Sequence, residues 1–289
     1  MQYQQYHIRD EDFLRFRDFF YRKTGIFFDE SKRYFVDRRL IERMKATGAP
    51  DFRTYFTRLR FDASGKELQA LINLMTVNET YFFREEHQLR CLVRELLPEL
   101  TRRRADRRPI RIWSIPASTG EEPYSIAIYL LEFWPELEQW DVELVASDID
   151  TRALEQARRG RYSARSVQHV PHHLRRKYFS RVGNDYQICD MLREVVTFTR
   201  VNLCDAKEMR PYRDFSVIFC RNLLIYFDEA SRKTAAHHLY DALESGGYLC
   251  LGHSESMSRI SSLFRVRRFA EAIVYQKPEE IYETCAGCG

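Results

Sequence analysis

The feature that most constrains the fold is an alternation of strand-like and helical segments after about residue 108. The strand-like segments are PIRIWSI, DVELVAS, SVIFC and GYLCLG, and the helical segments between them include PYSIAIYLLEFW, TRALEQARR and EASRKTAAHHLYDAL. Strands that alternate with helices indicate a parallel sheet with right-handed crossovers. The alternation therefore predicts an α/β, Rossmann-like fold. The final segment, EAIVYQK, has no helix after it and predicts an antiparallel strand at the end of the sheet.

Two regions depart from this alternation. Residues 10–90 carry helical periodicity with little strand signal, so we predict an all-helical N-terminal domain over residues 1–88 and a second domain over residues 89–289. Within the second domain, residues 161–193 interrupt the pattern for longer than an ordinary loop. This stretch predicts a small inserted subdomain with a short antiparallel β-sheet.

One N-terminal helix, in DESKRYFVDRRLIERMKATG, carries a basic stripe. Asp29 is suited to cap its start, and Gly48 is suited to end it. Lys32, Arg39 and Arg43 lie at offsets of seven and four, which return to nearly the same face of a helix. From the pattern alone, both a solvated edge and a docking face for an acidic partner stay open.

Length and composition exclude several protein classes. The 289 residues contain no window of about eighteen uncharged apolar residues and begin without an apolar secretion signal, so we expect a cytoplasmic globular protein. The net charge of +4 is mild, and it does not favour nucleic acid as the first choice of partner. Cys285 and Cys288 form a single CxxC at the C-terminus, which is weak evidence for metal, and we expect no metal site.

The turn ASTGEEPYS, residues 117–125, follows the first strand. Gly120 permits the turn and Pro123 suits a first helical turn. A helix N-terminus usually attracts phosphate, but Glu121 and Glu122 would repel it. The turn therefore predicts a ligand with hydroxyl groups and positive charge. We expect Glu122 to make the contact, and Glu121 to be an exposed neighbour or a charge that favours the helix dipole.

Polar residues also follow the other parallel strands. Asp148 ends the second strand, where a carboxylate can accept hydrogen bonds from ribose hydroxyls. Asn202 and Leu203 end the next strand, and FCRNLLIYF, residues 219–227, ends the one after it. Ligands of open parallel sheets bind at these carboxyl ends. A single glycine in the first turn argues against a dinucleotide, whose pyrophosphate needs close backbone approach.

Four motifs make the sequence recognisable: NETYFFRE (78–85), ASTGEEPYSIAI (117–128), ASDID (146–150) and IFCRNLLIYF (218–227). In order and spacing they resemble the CheR-type chemotaxis receptor methyltransferases, from about residue 10 to residue 277. This resemblance implies S-adenosylmethionine as cofactor, S-adenosylhomocysteine as product, and protein-glutamate O-methylation as the reaction. It also implies a helical domain, a Rossmann-like methyltransferase domain and an inserted β-subdomain.

The resemblance also implies roles for individual residues. Asn78, Thr80 and Arg84 would reach the cofactor from the domain junction. Glu122 and Asp148 would hold its polar groups, and the pocket would be completed by Asn202, Leu203, Arg221 and Asn222. The chain departs from the family pattern at Pro116 and Ala117, where a small residue and a cysteine are common, so the entry to the turn can differ in shape.

Methylation of a glutamate needs no general base, because the carboxylate is already ionised at neutral pH. Tyr226 lies in the family's active-site motif, and we assign it the role of orienting the substrate. An arginine before the first strand, Arg102 or Arg103, is our candidate for holding the substrate carboxylate. The alternatives are a core position for Tyr226 and solvated positions for the two arginines.

The implied partner is the acidic, glutamate-bearing cytoplasmic region of a transmembrane chemoreceptor, which favours the docking role of the Lys32, Arg39 and Arg43 stripe. Some family members grip a receptor tail with the inserted subdomain, and with Gly183 as its only glycine we do not expect this here. We expect a monomer. Two other functions stay open, a nucleic-acid methyltransferase and a non-catalytic cofactor-binding sensor. Cys220 could act as a cytosine-attacking nucleophile in the first of these, but its place in an apparent strand favours a buried thiol.

Overall fold

The computed structural model describes residues 6–104 and 106–279. The C-terminal pair Cys285 and Cys288 lies outside these ranges. The helices are α1 (Asp10–Thr24), α2 (Arg33–Ala46), α3 (Phe52–Phe61), α4 (Lys66–Met75), α5 (Glu86–Cys91), α6 (Leu97–Arg103), α7 (Glu121–Phe133), α8 (Thr151–Arg159), α9 (His172–Tyr178), α10 (Asp190–Glu194), α11 (Ala206–Met209) and α12 (Glu229–Ala242). The strands are β1 (Ile110–Ser114), β2 (Val142–Asp148), β3 (Arg161–Ser163), β4 (Phe179–Val182), β5 (Asp185–Ile188), β6 (Val196–Arg200), β7 (Phe215–Cys220), β8 (Leu243–Leu251), β9 (Arg265–Arg268) and β10 (Ile273–Gln276).

Helices α1 to α4 form a bundle, which we call the helical bundle. Its members enclose one apolar core that includes Phe16, Phe20, Leu40 and Tyr55, all fully buried. Local sequence explains where the helices begin. The side chain of Asp51 accepts a hydrogen bond from a backbone N–H in the first turn of α3, which satisfies one donor that has no partner within the helix.

The predicted start of α2 is partly confirmed. Asp29 accepts the backbone N–H of Ser31 at 2.8 Å, so it does act as a cap. However, it caps a 3-10 turn over Glu30–Lys32, and the α-helix itself begins at Arg33. The consequence is that Lys32 lies in the 3-10 turn, before the first residue of the helix.

The main sheet has seven strands in the order β6-β2-β1-β7-β8-β10-β9. Strands β6, β2, β1, β7 and β8 are parallel, while β10 is antiparallel to β8 and β9 is antiparallel to β10. The predicted Rossmann-like α/β fold and its antiparallel last strand are therefore confirmed. The sequence analysis missed β9, since its four residues, RVRR, carry three arginines.

The order of strands reverses between β1 and β7, which places a crevice at their carboxyl ends. The motif residues follow these ends. Helix α7 begins at Glu121 after β1, Asp148 is the last residue of β2, and Arg221 follows β7 directly. The helical bundle covers this edge of the sheet through hydrogen bonds such as that from Asn73 to Thr151, at 2.9 Å.

The inserted segment contains the predicted antiparallel sheet. Its three strands have the order β3-β5-β4, and α9 lies between β3 and β4 in the chain. Tyr162, on β3, is buried and donates a hydrogen bond from its hydroxyl to the carbonyl of Thr119 at 2.9 Å. The insert is therefore attached directly to the turn that precedes α7.

None of the helices in the described ranges has the length and apolar character of a membrane span. Within the same ranges, no group of three or more His, Cys, Asp or Glu side chains is arranged to hold a metal ion.

Candidate active site

A cavity of about 600 Å³ lies between the helical bundle and the carboxyl edge of the main sheet. Segment 24–28 of the bundle and Lys32 form one wall, and the ends of β1, β2 and β7 form the other. The structure brings all the predicted cofactor-contacting residues to this cavity: Asn78, Thr80, Arg84, Glu122, Asp148, Asn202, Leu203, Arg221 and Asn222. Tyr226 also lines it.

The glycine turn is shaped by packing. Gly120 has φ +97°, which other residues rarely adopt. A Cβ at this position would lie 2.9 Å from the Cβ of Ala157 and 2.9 Å from the hydroxyl of Tyr162. The glycine therefore allows α8 and the insert to approach the turn closely, and it sets the direction in which α7 begins.

Glu121 corrects one of our expectations. It is the first residue of α7, as the helix-start interpretation requires, but it is only 4% exposed and does not lie at the surface. Its carboxylate accepts hydrogen bonds from the hydroxyls of Thr119, at 2.5 Å, and Ser166, at 2.8 Å. Burial raises its pKa. Glu121 thus connects the turn to the insert, and it does not line the cavity.

Glu122 faces the cavity and pairs with Arg221. Its Oε2 lies 3.1 Å from Nη1 of Arg221, and its Oε1 accepts the hydroxyl of Ser114 at 2.8 Å. Burial raises the pKa of Glu122, and the guanidinium of Arg221 opposes this rise. Arg221 is itself buried and also donates to the carbonyl of Arg84 at 2.7 Å.

Asp148 is held by the backbone around it. Its carboxylate accepts the N–H of Ser118 at 2.7 Å and the N–H of Asp150 at 2.9 Å. Burial nevertheless raises the pKa of Asp148 to about 6, and the neighbouring charge of Asp150 adds to the rise. No cation in the described residues pairs with Asp148, so a ligand with hydroxyl groups or positive charge would stabilise its ionised form.

Asn78 links the helical bundle side of the cavity to the sheet. Its side-chain NH₂ donates to Asp150 at 2.8 Å, and its carbonyl oxygen accepts the hydroxyl of Ser118 at 3.1 Å. Thr76 donates to the same carboxylate of Asp150 at 2.6 Å. These contacts connect the NETYFFRE motif to the ASTGEEPYS and ASDID motifs.

Tyr226 is 40% exposed and lies in a short 3-10 turn after β7, so it is not a core aromatic residue. Partial burial raises the pKa of its phenol, and the positive charge of Arg84 opposes the rise. The phenol is therefore a hydrogen-bond donor at neutral pH. Both Tyr226 and Arg84 line the cavity.

The structure does not bring Arg102 to the cavity. Arg102 lies at the end of α6, is exposed, and donates to the carbonyl of Pro98 at 3.0 Å. Its neighbour Arg104 bonds Ser216, near the start of β7, which places this segment at the amino edge of the sheet. A role in holding the substrate carboxylate therefore has no support from the geometry, because the cavity lies at the carboxyl edge.

The three residues of the predicted basic stripe have different environments in the structure. Arg43 forms two hydrogen bonds to the carboxylate of Glu67, at 2.9 and 2.6 Å. Arg39 donates to the carbonyl of Leu74 at 2.8 Å and stacks on the ring of Phe35. Both arginines are thus engaged within the bundle, against α4, and the three residues do not form one free docking face. Lys32 is exposed and lines the cavity.

Two contributions to the cavity were missed. Glu255 accepts the backbone N–H groups of Asn222, Leu224 and Gly252, at 2.7, 2.8 and 3.0 Å, and so fixes the turn after β7. The only indication in the sequence that Glu255 lies near the cavity was its position just beyond β8. The contribution of segment 24–28 to the cavity wall could not be predicted, because these residues have no sequence feature that indicates contact with a sheet far along the chain.

Cys220 does not suit nucleophilic chemistry. Its side chain is fully buried within β7, and burial raises the pKa of its thiol well above the ordinary value. A thiolate nucleophile needs the opposite environment. The cytosine-attacking alternative thus loses its proposed nucleophile.

Comparison with known proteins identifies the family. The pattern of the CheR methyltransferase, SAM binding domain, matches residues 78–273, and that of the CheR methyltransferase, all-alpha domain, matches residues 11–76. The chain belongs to the CheR methyltransferase family. The family resemblance predicted from four motifs is confirmed, and the two patterns cover the cavity walls described above.

Named relatives of the CheR family match over most of their length. The chain is 57% identical over 274 residues to chemotaxis protein methyltransferase 2 of Vibrio cholerae, covering 94% of this chain and 95% of that protein. It is 39% identical to chemotaxis protein methyltransferase 2 of Pseudomonas aeruginosa, covering 91% and 92%. It is 36% identical to the chemotaxis protein methyltransferase of Salmonella typhimurium, covering 90% and 88%. The protein is an S-adenosylmethionine-dependent methyltransferase of chemotaxis.

The cavity fits this cofactor chemically. Among the described atoms, Nε of Arg221 is buried without a hydrogen-bond partner, although the residue lines the cavity. A buried donor of this kind calls for an acceptor, and the cofactor carries a carboxylate. Its ammonium, sulfonium and ribose hydroxyls match the carboxylates of Glu122 and Asp148, since these groups accept hydrogen bonds and favour positive charge.

Proposed function

We propose that the protein methylates glutamate side chains of chemoreceptors, giving glutamyl methyl esters. The observation that carries this proposal is the composition of the cavity. The carboxylates of Glu122 and Asp148, a phenol and cationic side chains line it, and no histidine lines it among the described residues. A glutamate substrate needs no base to remove a proton, whereas an alcohol or amine substrate would.

We assign the following roles in the reaction to residues of the chain. When bound, S-adenosylmethionine supplies an electrophilic methyl group, which a carboxylate oxygen can accept by in-line displacement. Glu122, Asp148 and Asn78 hold the cofactor's polar groups. Tyr226 donates a hydrogen bond that orients the incoming carboxylate. Lys32, which lines the cavity, attracts that carboxylate by charge.

The second contribution of the protein to catalysis is the exclusion of water from the cavity. The bundle segment that includes Phe27 and Phe28 closes the cavity over the ends of the strands. A cation and an anion become neutral products in this reaction, so a site with little water favours the transition state over the separated charges. The bundle is thus part of the catalytic site.

The substrate is the cytoplasmic, glutamate-bearing region of a transmembrane chemoreceptor, and the enzyme acts on it as a monomer in the cytoplasm. The chemotaxis names of the relatives support the receptor as substrate. Residues 1–88 and 89–289 are proposed as the helical and methyltransferase domains.

Mass spectrometry of the receptor tests this proposal. Membranes that contain a chemoreceptor are incubated with enzyme and S-adenosylmethionine, and the receptor is then digested. Methylation is expected on glutamates of the cytoplasmic region and is expected to disappear when those glutamates are replaced by aspartate. Methylation of lysine or of another residue type would contradict the proposal. Membranes incubated with S-adenosylmethionine but without the enzyme are the control for contaminating activity.

A further inference from the structure

The turn that carries Tyr226 lies beside a second turn, which follows β8. Strands β7 and β8 are parallel neighbours, and they end at the same level, since Cys220 pairs with Leu251. The chain therefore leaves both strands at the same height in the sheet. We call the two segments the β7 turn, residues 221–227, and the β8 turn, residues 252–255.

The carboxylate of Glu255 connects the two turns. Its Oε2 accepts the backbone N–H of Asn222 at 2.7 Å and that of Gly252 at 3.0 Å, while its Oε1 accepts the N–H of Leu224 at 2.8 Å. The backbone N–H of Glu255 also donates to the carbonyl of Gly252 at 2.9 Å, which closes the β8 turn. Both carboxylate oxygens are thus occupied by backbone donors, two of which belong to the β7 turn.

The two turns are packed too closely for a side chain at position 252. A Cβ on Gly252 would lie 2.7 Å from Nδ2 of Asn222 and 2.9 Å from Oε2 of Glu255. Asn222 has φ +56°, a left-handed conformation that few residues other than glycine adopt. Backbone of this kind persists where the surrounding groups hold it in place. Glu255 supplies such a restraint at Asn222 itself.

Glu255 does not line the cavity, but the turn that it restrains does. Asn222 and Tyr226 both face the cavity. Leu224, whose N–H is bonded to Glu255, lies in the same 3-10 turn as Tyr226. From the bundle side, the carbonyl of Tyr226 accepts only a long hydrogen bond, from the N–H of Phe27 at 3.5 Å. The shorter hydrogen bonds to Glu255 therefore contribute more to the position of the β7 turn.

We propose that Glu255 is a positioning residue for methyl transfer, which acts by fixing the position of Tyr226 relative to the incoming carboxylate. The bond-forming geometry is strict, and a misplacement of about 1 Å can lower the rate about a hundredfold. This inference rests on the proposed function, in which Tyr226 orients the substrate, and it adds the residue that sets where the phenol lies.

A double-mutant cycle tests this inference. Glu255→Gln keeps the size of the side chain but leaves a single acceptor oxygen, so the carboxylate's hydrogen bonds to the β7 turn cannot all be kept. The substitution is made both in the wild type and in Tyr226→Phe. For each enzyme, kcat is measured with receptor-bearing membranes, cofactor affinity is measured by calorimetry, and folding is checked by circular dichroism.

The matched control is Glu99→Gln. Glu99 lies on α6, away from the cavity wall, and its carboxylate accepts two hydrogen bonds from Arg267, at 3.0 Å each. This control removes the same charge from a similarly half-buried side chain of the methyltransferase domain. Gly252→Ala is a second test variant, because its Cβ would displace the same contacts from the side of the β8 turn.

Glu255→Gln is expected to lower kcat at least about tenfold in the wild type. In Tyr226→Phe it is expected to lower kcat less than about threefold, because the phenol that it positions is already absent. Cofactor affinity is expected to change less than about threefold in both backgrounds, since Glu122 and Asp148 lie on other elements. Gly252→Ala is expected to show the same pattern, and Glu99→Gln is expected to keep the wild-type kcat.

Equal losses of kcat in the two backgrounds would overturn the inference, because a general loss of structure does not depend on the phenol. A loss of cofactor affinity as large as the loss of kcat would overturn it as well, and so would an equal loss of kcat in Glu99→Gln. If the wild type methylates no receptor, or if Tyr226→Phe transfers at the wild-type rate, the proposed function or the role of Tyr226 within it is refuted before Glu255 is considered, and the inference is refuted with it.

Discussion

Replacement of Arg221 by methionine is expected to destabilise the methyltransferase domain through Glu122. The two side chains are 3% and 14% exposed, and their charged atoms lie 3.1 Å apart. In the variant, Glu122 keeps only the hydroxyl of Ser114, at 2.8 Å. Removal of one partner from a buried ion pair costs about 3–5 kcal/mol, because the remaining charge is buried without compensation. We expect the free energy of unfolding to fall by that amount at about pH 8.

The pH dependence follows from the direction of the pKa shift. Burial raises the pKa of Glu122, and Arg221 opposes the rise, so the pKa increases further in the variant. The folded variant therefore takes up a proton as the pH falls, while the unfolded chain stays ionised until lower pH. Each pH unit recovers up to about 1.4 kcal/mol. The loss of stability is therefore expected to be largest at high pH and to become smaller as the pH falls.

Tryptophan fluorescence in urea measures this effect, since all three tryptophans, Trp113, Trp134 and Trp140, lie in the methyltransferase domain. The control is Arg221→Met/Glu122→Gln, which removes both charges and is expected to recover more than half of the lost stability. A loss that does not become smaller as the pH falls would refute the reasoning. The reasoning would also be refuted if Arg221→Met/Glu122→Gln were less stable than Arg221→Met.

Three further predictions concern the cavity and its rim. Asp148→Ala is expected to weaken cofactor binding at least about tenfold because it removes a buried acceptor. Tyr226→Phe is expected to keep cofactor binding and to slow methyl transfer. If calorimetry shows an equal loss of binding in both variants, this assignment of binding to Asp148 and transfer to Tyr226 is contradicted. Because the pKa of Asp148 is raised to about 6, cofactor affinity of the wild type is expected to fall as the pH is lowered from about 7.5 to about 5, and a flat calorimetric profile would exclude Asp148 as the ionised contact. Arg43→Met is expected to lower the free energy of unfolding by about 1.5–3 kcal/mol, measured by circular dichroism in urea, because the hydrogen bonds to Glu67 are lost. Lys32→Met is expected to leave stability unchanged and to raise the KM for receptor. The reverse pattern would return Arg43 to a docking role.

The strands and the cavity could be predicted from sequence because their signals are local. Apolar runs such as SVIFC give a buried strand, and polar residues that follow such runs lie at one edge of a parallel sheet. Glu122, Asp148 and Arg221 could be placed together by this rule alone. The family motifs added Asn78, Thr80 and Arg84, which lie outside the alternating pattern and had no local signal of their own.

The errors concern residues whose partners lie far away in the chain. Glu121 is buried because Ser166, in the insert, covers it. Arg43 is engaged because Glu67, on another helix, reaches it. Helical periodicity gives the face on which a residue lies, but it does not give the element that packs there. The Arg102 assignment failed for a related reason, because α6 precedes β1 and so lies at the edge of the sheet opposite the cavity.

The most direct test of the account is the chemical nature of the product bond. Enzyme, S-adenosylmethionine with a radiolabelled methyl group and chemoreceptor-bearing membranes are incubated together, and the labelled protein is then treated with mild alkali. Release of the label as volatile methanol is the predicted result, because a glutamyl methyl ester hydrolyses in base. Label that stays on the receptor or on nucleic acid after alkali would contradict the account, as would tight cofactor binding without any transfer.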